Sequence, residues 1–100
     1  LYGGAMTRAT NITIHVPAVL RAYCGGDAEL ALSATDVRAA LDELERKFPD
    51  LHRNICDETG AVRRHVNVFV NSSNTRDEAG LDTPLASGDV VTILPAVSGG

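Results

Sequence analysis

The alternation of apolar and polar positions changes period along this chain, and each change marks an element. From Asn11 to Val16, Ile12, Ile14 and Val16 alternate with Thr13 and His15. A repeat of two places these sets on opposite faces of a half-buried strand. Pro17 has no amide hydrogen to give a ladder, so it predicts a strand end or a bulge. Leu20 follows, then Cys24-Gly25-Gly26-Asp27, a turn whose paired glycines supply permissive backbone angles. Glu29 to Ser33 alternates again with Leu30 and Leu32 aligned, and the two runs together predict an opening hairpin.

The period then lengthens. Val37, Ala40, Leu41, Leu44 and Phe48 form one stripe of a helix. Thr35 or Asp36 is placed to cap its start, Pro49 stops it after Phe48, and Arg46 with Lys47 suits the negative end of its dipole. The opposite face, with Arg38, Asp42, Glu43, Glu45 and Arg46, reads as a solvated surface. Residues 51–60 read as irregular, with a turn at Asp57-Glu58-Thr59-Gly60. Arg63, Arg64 and His65 read as the wet lead-in to the next strand, a functional role being the lesser alternative. From His65 to Asn71, Val66, Val68 and Val70 line one face; Asn67, Phe69 and Asn71 line the other. Turn chemistry at Asn71-Ser72-Ser73-Asn74 closes it. Residues 77–84 read as loop, Leu85 as a core plug, Ser87-Gly88-Asp89 as a turn, and Val90 to Pro95 as the final strand.

The order strand, strand, helix, strand, strand predicts an α+β layering, a mixed sheet of four to five strands packed on one main helix. The first and last strands are the most apolar alternating runs, so they are expected side by side at the centre. The long connection between them lets them run parallel. That arrangement is the β-grasp. Residues 6–95 are expected to form one domain, with residues 1–5 a cloning remnant ahead of Met6 and residues 96–100 a flexible tail.

Composition narrows the function. At 100 residues, 44% apolar and 22% charged, the chain carries one ordinary core, which excludes disorder and disulfide-rich or collagen-like scaffolds. No apolar run is long enough to span a membrane and nothing resembles a signal peptide, so a cytoplasmic protein is expected, with no membrane partner. Nine basic against thirteen acidic residues leave a net charge of −4, which argues against nucleic-acid binding through phosphate neutralisation. Cys24 and Cys56 read as small apolar residues. A zinc site with His15, His52 or His65, or a catalytic thiol, has no spacing in its favour. No metal is expected.

The chemistry lies at the end of the chain, Leu94-Pro95-Ala96-Val97-Ser98-Gly99-Gly100. At about 7% glycine usage, two closing glycines arise by chance in roughly one chain in two hundred. Residues without Cβ atoms can thread a narrow channel in another protein and adopt angles closed to other residues. The α-carboxylate then becomes a reacting group on a short arm, electrophilic only once its oxygen is turned into a leaving group. Gly25-Gly26 lacks the Lys-Ser/Thr of a phosphate-binding loop, so ATP must be handled by a partner.

A β-grasp strand order with a bare Gly-Gly end resembles the ubiquitin-like sulfur carriers of the MoaD/ThiS family. Residues 65–71 and 88–100 look most like the carriers used for cysteine biosynthesis in actinobacteria. The resemblance implies that an adenylating, ubiquitin-activating-type enzyme uses ATP on Gly100. A sulfur donor then displaces AMP to leave a thiocarboxylate, and a sulfur-accepting biosynthetic enzyme receives the sulfur. The acceptor pathways it allows are cysteine, molybdenum cofactor, thiamine or a specialised metabolite. The carrier would be a co-substrate, not an enzyme, and would bind no cofactor itself. Gly99 would lend the arm its freedom. Two other readings stay open: a modifier linked to lysines through Gly100, and a non-catalytic subunit whose tail completes a partner's active site.

Alternation also predicts where partners dock. If Val91 and Ile93 face the helix, Thr92 and Leu94 face out, with Phe69 beside them on the neighbouring strand. Phe69, Thr92 and Leu94, continued by Pro95, Ala96, Val97 and Ser98, are therefore the candidate partner-binding residues. The alternative for Phe69 is that it covers the sheet edge or tucks under a loop.

Overall fold

The computed structural model describes residues 10–96. Asn11–His15 (β1) and Glu29–Ser33 (β2) form the expected antiparallel hairpin, with Ile12 opposite Leu32 and Ile14 opposite Leu30. Pro17 ends β1 by capping a 3-10 turn, Ala18–Cys24, which buries Leu20 and Cys24. Gly25 leaves this turn at φ 76°, in the left-handed region where only a residue without a Cβ sits freely.

Val37–Lys47 (α1) starts at Asp36, whose carboxylate accepts the Ala39 amide hydrogen at 2.8 Å, which decides between the two expected caps. It buries Val37, Ala40, Leu41 and Leu44. Phe48 does not continue α1. Its backbone leaves the helical region (φ −139°, ψ 72°), which the following proline disfavours, and its ring packs against the core only half-buried.

Two readings need correction here. Pro49 ends one helix but begins another, Pro49–Ile55 (α2), where residues 51–60 read as irregular; the sheet is thus packed on a main helix and a shorter second one. Proline suits the first turn of a helix, where its missing N–H would be unpaired anyway. Leu51, His52 and Ile55 are buried, and α2 packs on α1 and on the 3-10 turn after β1. Residues 77–84 are likewise not plain loop, because Gly80–Asp82 forms a 3-10 turn following another at Thr75–Asp77.

Val66–Val70 (β3), Ser73–Asn74 (β4) and Val90–Pro95 (β5) complete a five-stranded sheet in the order β2-β1-β5-β3-β4. β5 runs parallel to β1, with His15 beside Thr92, and antiparallel to β3, with Phe69 beside Thr92. The central parallel pair is therefore as the pattern predicts. Ile12, Ile14, Val66, Val68, Val70, Val91 and Ile93 send one sheet face into the core under α1 and α2, and Leu85 plugs it from the loop. The second face, which carries Phe69, Thr92 and Leu94, stays open.

Asn71 fixes the far end of the central strands. It sits at φ 56°, a left-handed angle that asparagine tolerates, and its side-chain oxygen accepts the Val90 amide hydrogen at 3.0 Å. Its side-chain nitrogen donates to Asp89, whose other carboxylate oxygen accepts from the Ala86 amide.

Candidate functional site: the open sheet face and the base of the tail

Because side chains alternate along each strand, those not pointing at the helices form rows across the open face. One row runs from Glu29 through His15 and Thr92 to Phe69. The next brings Asn67 beside Leu94. Phe69 and Leu94 are then diagonal neighbours, a relation that places Cα atoms about 7–8 Å apart. Leu94 keeps 46% of its surface exposed; Phe69 and Thr92 are half-buried. Phe69 thus lies on the outer face, half-buried beside Thr92. At the row's far end His15 Nε2 lies 3.1 Å from Glu29 Oε2, an ion pair when the imidazole is protonated.

β5 leads out of this face at the sheet's centre. Pro95 is half-buried opposite Val66, and Ala96 is exposed with its amide hydrogen donated to the His65 carbonyl at 2.6 Å. Val97, Ser98, Gly99 and Gly100 lie outside the described residues, as do residues 1–5 and Met6. Arg63 and Arg64 immediately precede His65 in the chain, and Arg76 reaches them from the turn after β4. The Arg76 guanidinium donates to Asn67 Oδ1 and to the backbone carbonyls of Arg63 and Arg64, at 3.1 and 3.5 Å for the latter two.

A second apolar feature occupies the same end of the sheet. β1 and β5 run parallel, so the 3-10 turn that follows β1 lies towards the end from which residue 96 departs. On that turn Val19 is 73% and Tyr23 44% exposed; with Leu94 they are the exposed large hydrophobics among the described residues. Sequence reasoning passed over Val19, Tyr23 and Arg76. The first two stand in a turn too short to show a period, and Arg76 acts through contacts distant in sequence.

The thiols stay out of the chemistry. Cys24 and Cys56 are free and buried. Burial, reinforced by Asp57, pushes the Cys56 thiol up to about 11, and burial raises Cys24 as well. At neutral pH both are protonated and poor nucleophiles. Among the described residues no cluster of His, Cys, Asp and Glu is arranged to hold a metal. A groove of about 710 Å³ lies on the helical side, between α1, α2 and the turn at Asp57–Gly60, and includes His52 and Arg63. Among the described residues, no helix is long and apolar enough to cross a membrane.

The ThiS family profile matches residues 14–100, from β1 through the last residue of the sequence. The chain belongs to the ThiS family. It is 37% identical over 92 residues to the sulfur carrier protein CysO of Mycobacterium tuberculosis, covering 90% of this chain and 99% of that one. Among solved structures it resembles a chain of the Amycolatopsis orientalis BexX/CysO complex at TM-score 0.82 and 31% identity, over 89% of this chain and 99% of that chain. It also resembles small archaeal modifier protein 1 of Methanosarcina acetivorans at TM-score 0.79 and 33% identity, over 94% and 100% of the two chains. This ThiS-family chain therefore carries a ubiquitin-like β-grasp.

Proposed function

We propose that this protein is a sulfur carrier whose Gly100 carboxylate is the working group. One observation carries the reading: the ThiS family match runs through Gly99-Gly100, directly after a strand at the sheet's centre. A rigid five-stranded platform bearing a short arm at its midline suits a co-substrate handed between enzymes. CysO of M. tuberculosis, 37% identical over 90% of this chain, is named a sulfur carrier protein.

The Gly100 carboxylate attacks the α-phosphorus of ATP on an adenylating enzyme, releasing pyrophosphate and leaving an acyl-adenylate. Sulfide-level sulfur from a donor adds to the activated carbonyl, and AMP departs as the C–O bond breaks. The resulting thiocarboxylate is a stronger nucleophile than a carboxylate at neutral pH. On the acceptor enzyme its sulfur displaces a leaving group from an activated carbon to form a thioester. Water then cleaves the acyl C–S bond, leaving the sulfur on the acceptor and restoring the Gly100 carboxylate. The carrier itself binds no cofactor in this scheme; ATP belongs to the activating partner. Gly99 and Gly100 fit because a narrow active-site channel excludes Cβ atoms. Phe69, Thr92 and Leu94, with Pro95, Ala96, Val97 and Ser98, form the docking strip. Its apolar centre is rimmed by Asn67 and His15, the composition of a recognition patch.

Deleting Gly100 tests the reading. Adenylation, followed by ATP–pyrophosphate exchange with the activating enzyme, should disappear while the melting curve stays unchanged; exchange that persists with the shortened chain overturns it. The likeness to small archaeal modifier protein 1 favours a second reading, conjugation to lysines through Gly100. Intact mass separates the two. Replacing oxygen by sulfur adds about 16 Da, from the difference in atomic mass, whereas conjugation leaves branched peptides ending in Gly-Gly.

A further inference from the structure

Three successive carbonyls lie at the base of the tail, those of Arg63, Arg64 and His65. The third accepts the Ala96 amide hydrogen at 2.6 Å, the last backbone bond by which the sheet holds the chain among the described residues. The first two accept from one guanidinium nitrogen of Arg76, while the other nitrogen donates to Asn67 Oδ1. Asn67 lies beside Leu94 on the open face and also accepts from the Asn74 side chain at 3.3 Å. Arg76 is itself fixed. It stands in the 3-10 turn Thr75–Asp77, where Thr75 is buried and the Asn74 side chain accepts the Arg76 amide hydrogen at 3.0 Å. From the other side, Arg63 is tied to the end of α2 by its amide to the Ile55 carbonyl and by its Nε to the Arg53 carbonyl.

Arg76 has no carboxylate partner among the described residues, in a protein of net charge −4. It is held instead against the backbone of two like charges, Arg63 and Arg64, where surface ion pairing cannot be its purpose. A planar fork that reaches a side-chain oxygen and two main-chain oxygens together is a geometric device, and lysine, with a single point of charge, cannot reproduce it. We infer that Arg76 is a positioning residue for the transfer arm: by clamping residues 63–65 to Asn67 it holds the His65 carbonyl under Ala96, so the chain leaves the sheet in one direction. The inference rests on the sulfur-carrier reading, because direction matters only if the arm must find an active site. Fixing the base of the arm before binding lowers the ordering cost on the enzyme, so the effect falls on recognition and leaves chemistry alone.

The test uses the full chain, wild type against Arg76→Ala and Arg76→Lys. Amide hydrogen exchange by NMR should show Ala96 exchanging at least about tenfold faster in Arg76→Ala, with Val68 and Ile93 unchanged, since local opening leaves the global core protected. With the adenylating enzyme, KM for the carrier should rise about three- to tenfold with kcat held within about twofold, the pattern of lost uniform binding. Arg76→Lys should recover only part of either effect. Unchanged Ala96 exchange overturns the inference. So does a rise shared by every amide, which would make Arg76 a general stability residue, or a fall in kcat at constant KM. A wild-type chain that is never adenylated refutes the sulfur-carrier reading, while the Ala96 exchange rates still decide by themselves whether Arg76 clamps the arm.

Discussion

Ile93 and Leu94 are adjacent in β5 and face opposite ways, so one pair of substitutions separates folding from recognition. Ile93 is 1% exposed and packs under the helices. Truncating it to alanine removes buried methyl groups and leaves a cavity, at a cost of about 2–5 kcal/mol. In a domain of this size each kcal/mol lowers Tm by about 4–8 °C, so Ile93→Ala should melt at least about 8 °C early. Leu94 retains 46% of its surface in water, and that fraction is what a partner can still cover. Fully burying a leucine is worth about 1.5–3 kcal/mol, so covering the remainder should contribute about 0.7–1.4 kcal/mol, or about three- to tenfold in Kd. Leu94→Ala should therefore weaken binding to the activating enzyme by that factor, measured by calorimetric titration, while its melting temperature moves by no more than a few degrees. A Leu94→Ala protein that melts like Ile93→Ala, or that binds both the activating and the accepting enzyme with wild-type Kd, would refute the assignment of the open face to docking.

Two further outcomes follow from the titrating groups. Burial holds Cys56 near 11, so the folded protein at pH 7.5 should react with maleimide far more slowly than the same protein in denaturant, measured by mass; equal rates would contradict the buried thiol. The Ala86 amide, then the Asn71 side chain, hold the Asp89 carboxyl below its usual range. A depressed folded value stabilises the fold above the unfolded pKa of about 3.9 and is lost as pH falls through the folded value. Asp89→Asn should hence melt earlier than wild type at pH 7 and show a shallower acid limb in Tm against pH; parallel curves would exclude the link.

The parts of this fold legible in the sequence are those whose length lets a period declare itself. β1, β2, β3 and β5 each alternate over at least five residues, and α1 repeats its stripe over three turns. α2 offers only Leu51 and Ile55 at helical spacing within seven residues, behind a proline that equally signals a stop. The turn carrying Val19 and Tyr23 is equally short, and β4, at two residues, has no period at all. The outward face of β5 was readable because Val91 and Ile93 fix the register, and Thr92 and Leu94 follow by alternation. The clamp was not. Arg76 meets backbone oxygens, which carry no side-chain signature, across a chain reversal that pattern alone does not position.

The placement of β5 between β1 and β3 has a consequence for biogenesis. Without it the remaining strands are two separate hairpins, β1 with β2 and β3 with β4, and nothing joins them edge to edge. An isolated hairpin is marginal in water, so the nascent polypeptide has no stable sheet until the last of its five strands has cleared the ribosome. Translation that halts before β5 should thus leave two hairpins with no shared edge, open to proteolysis, rather than a complete sheet.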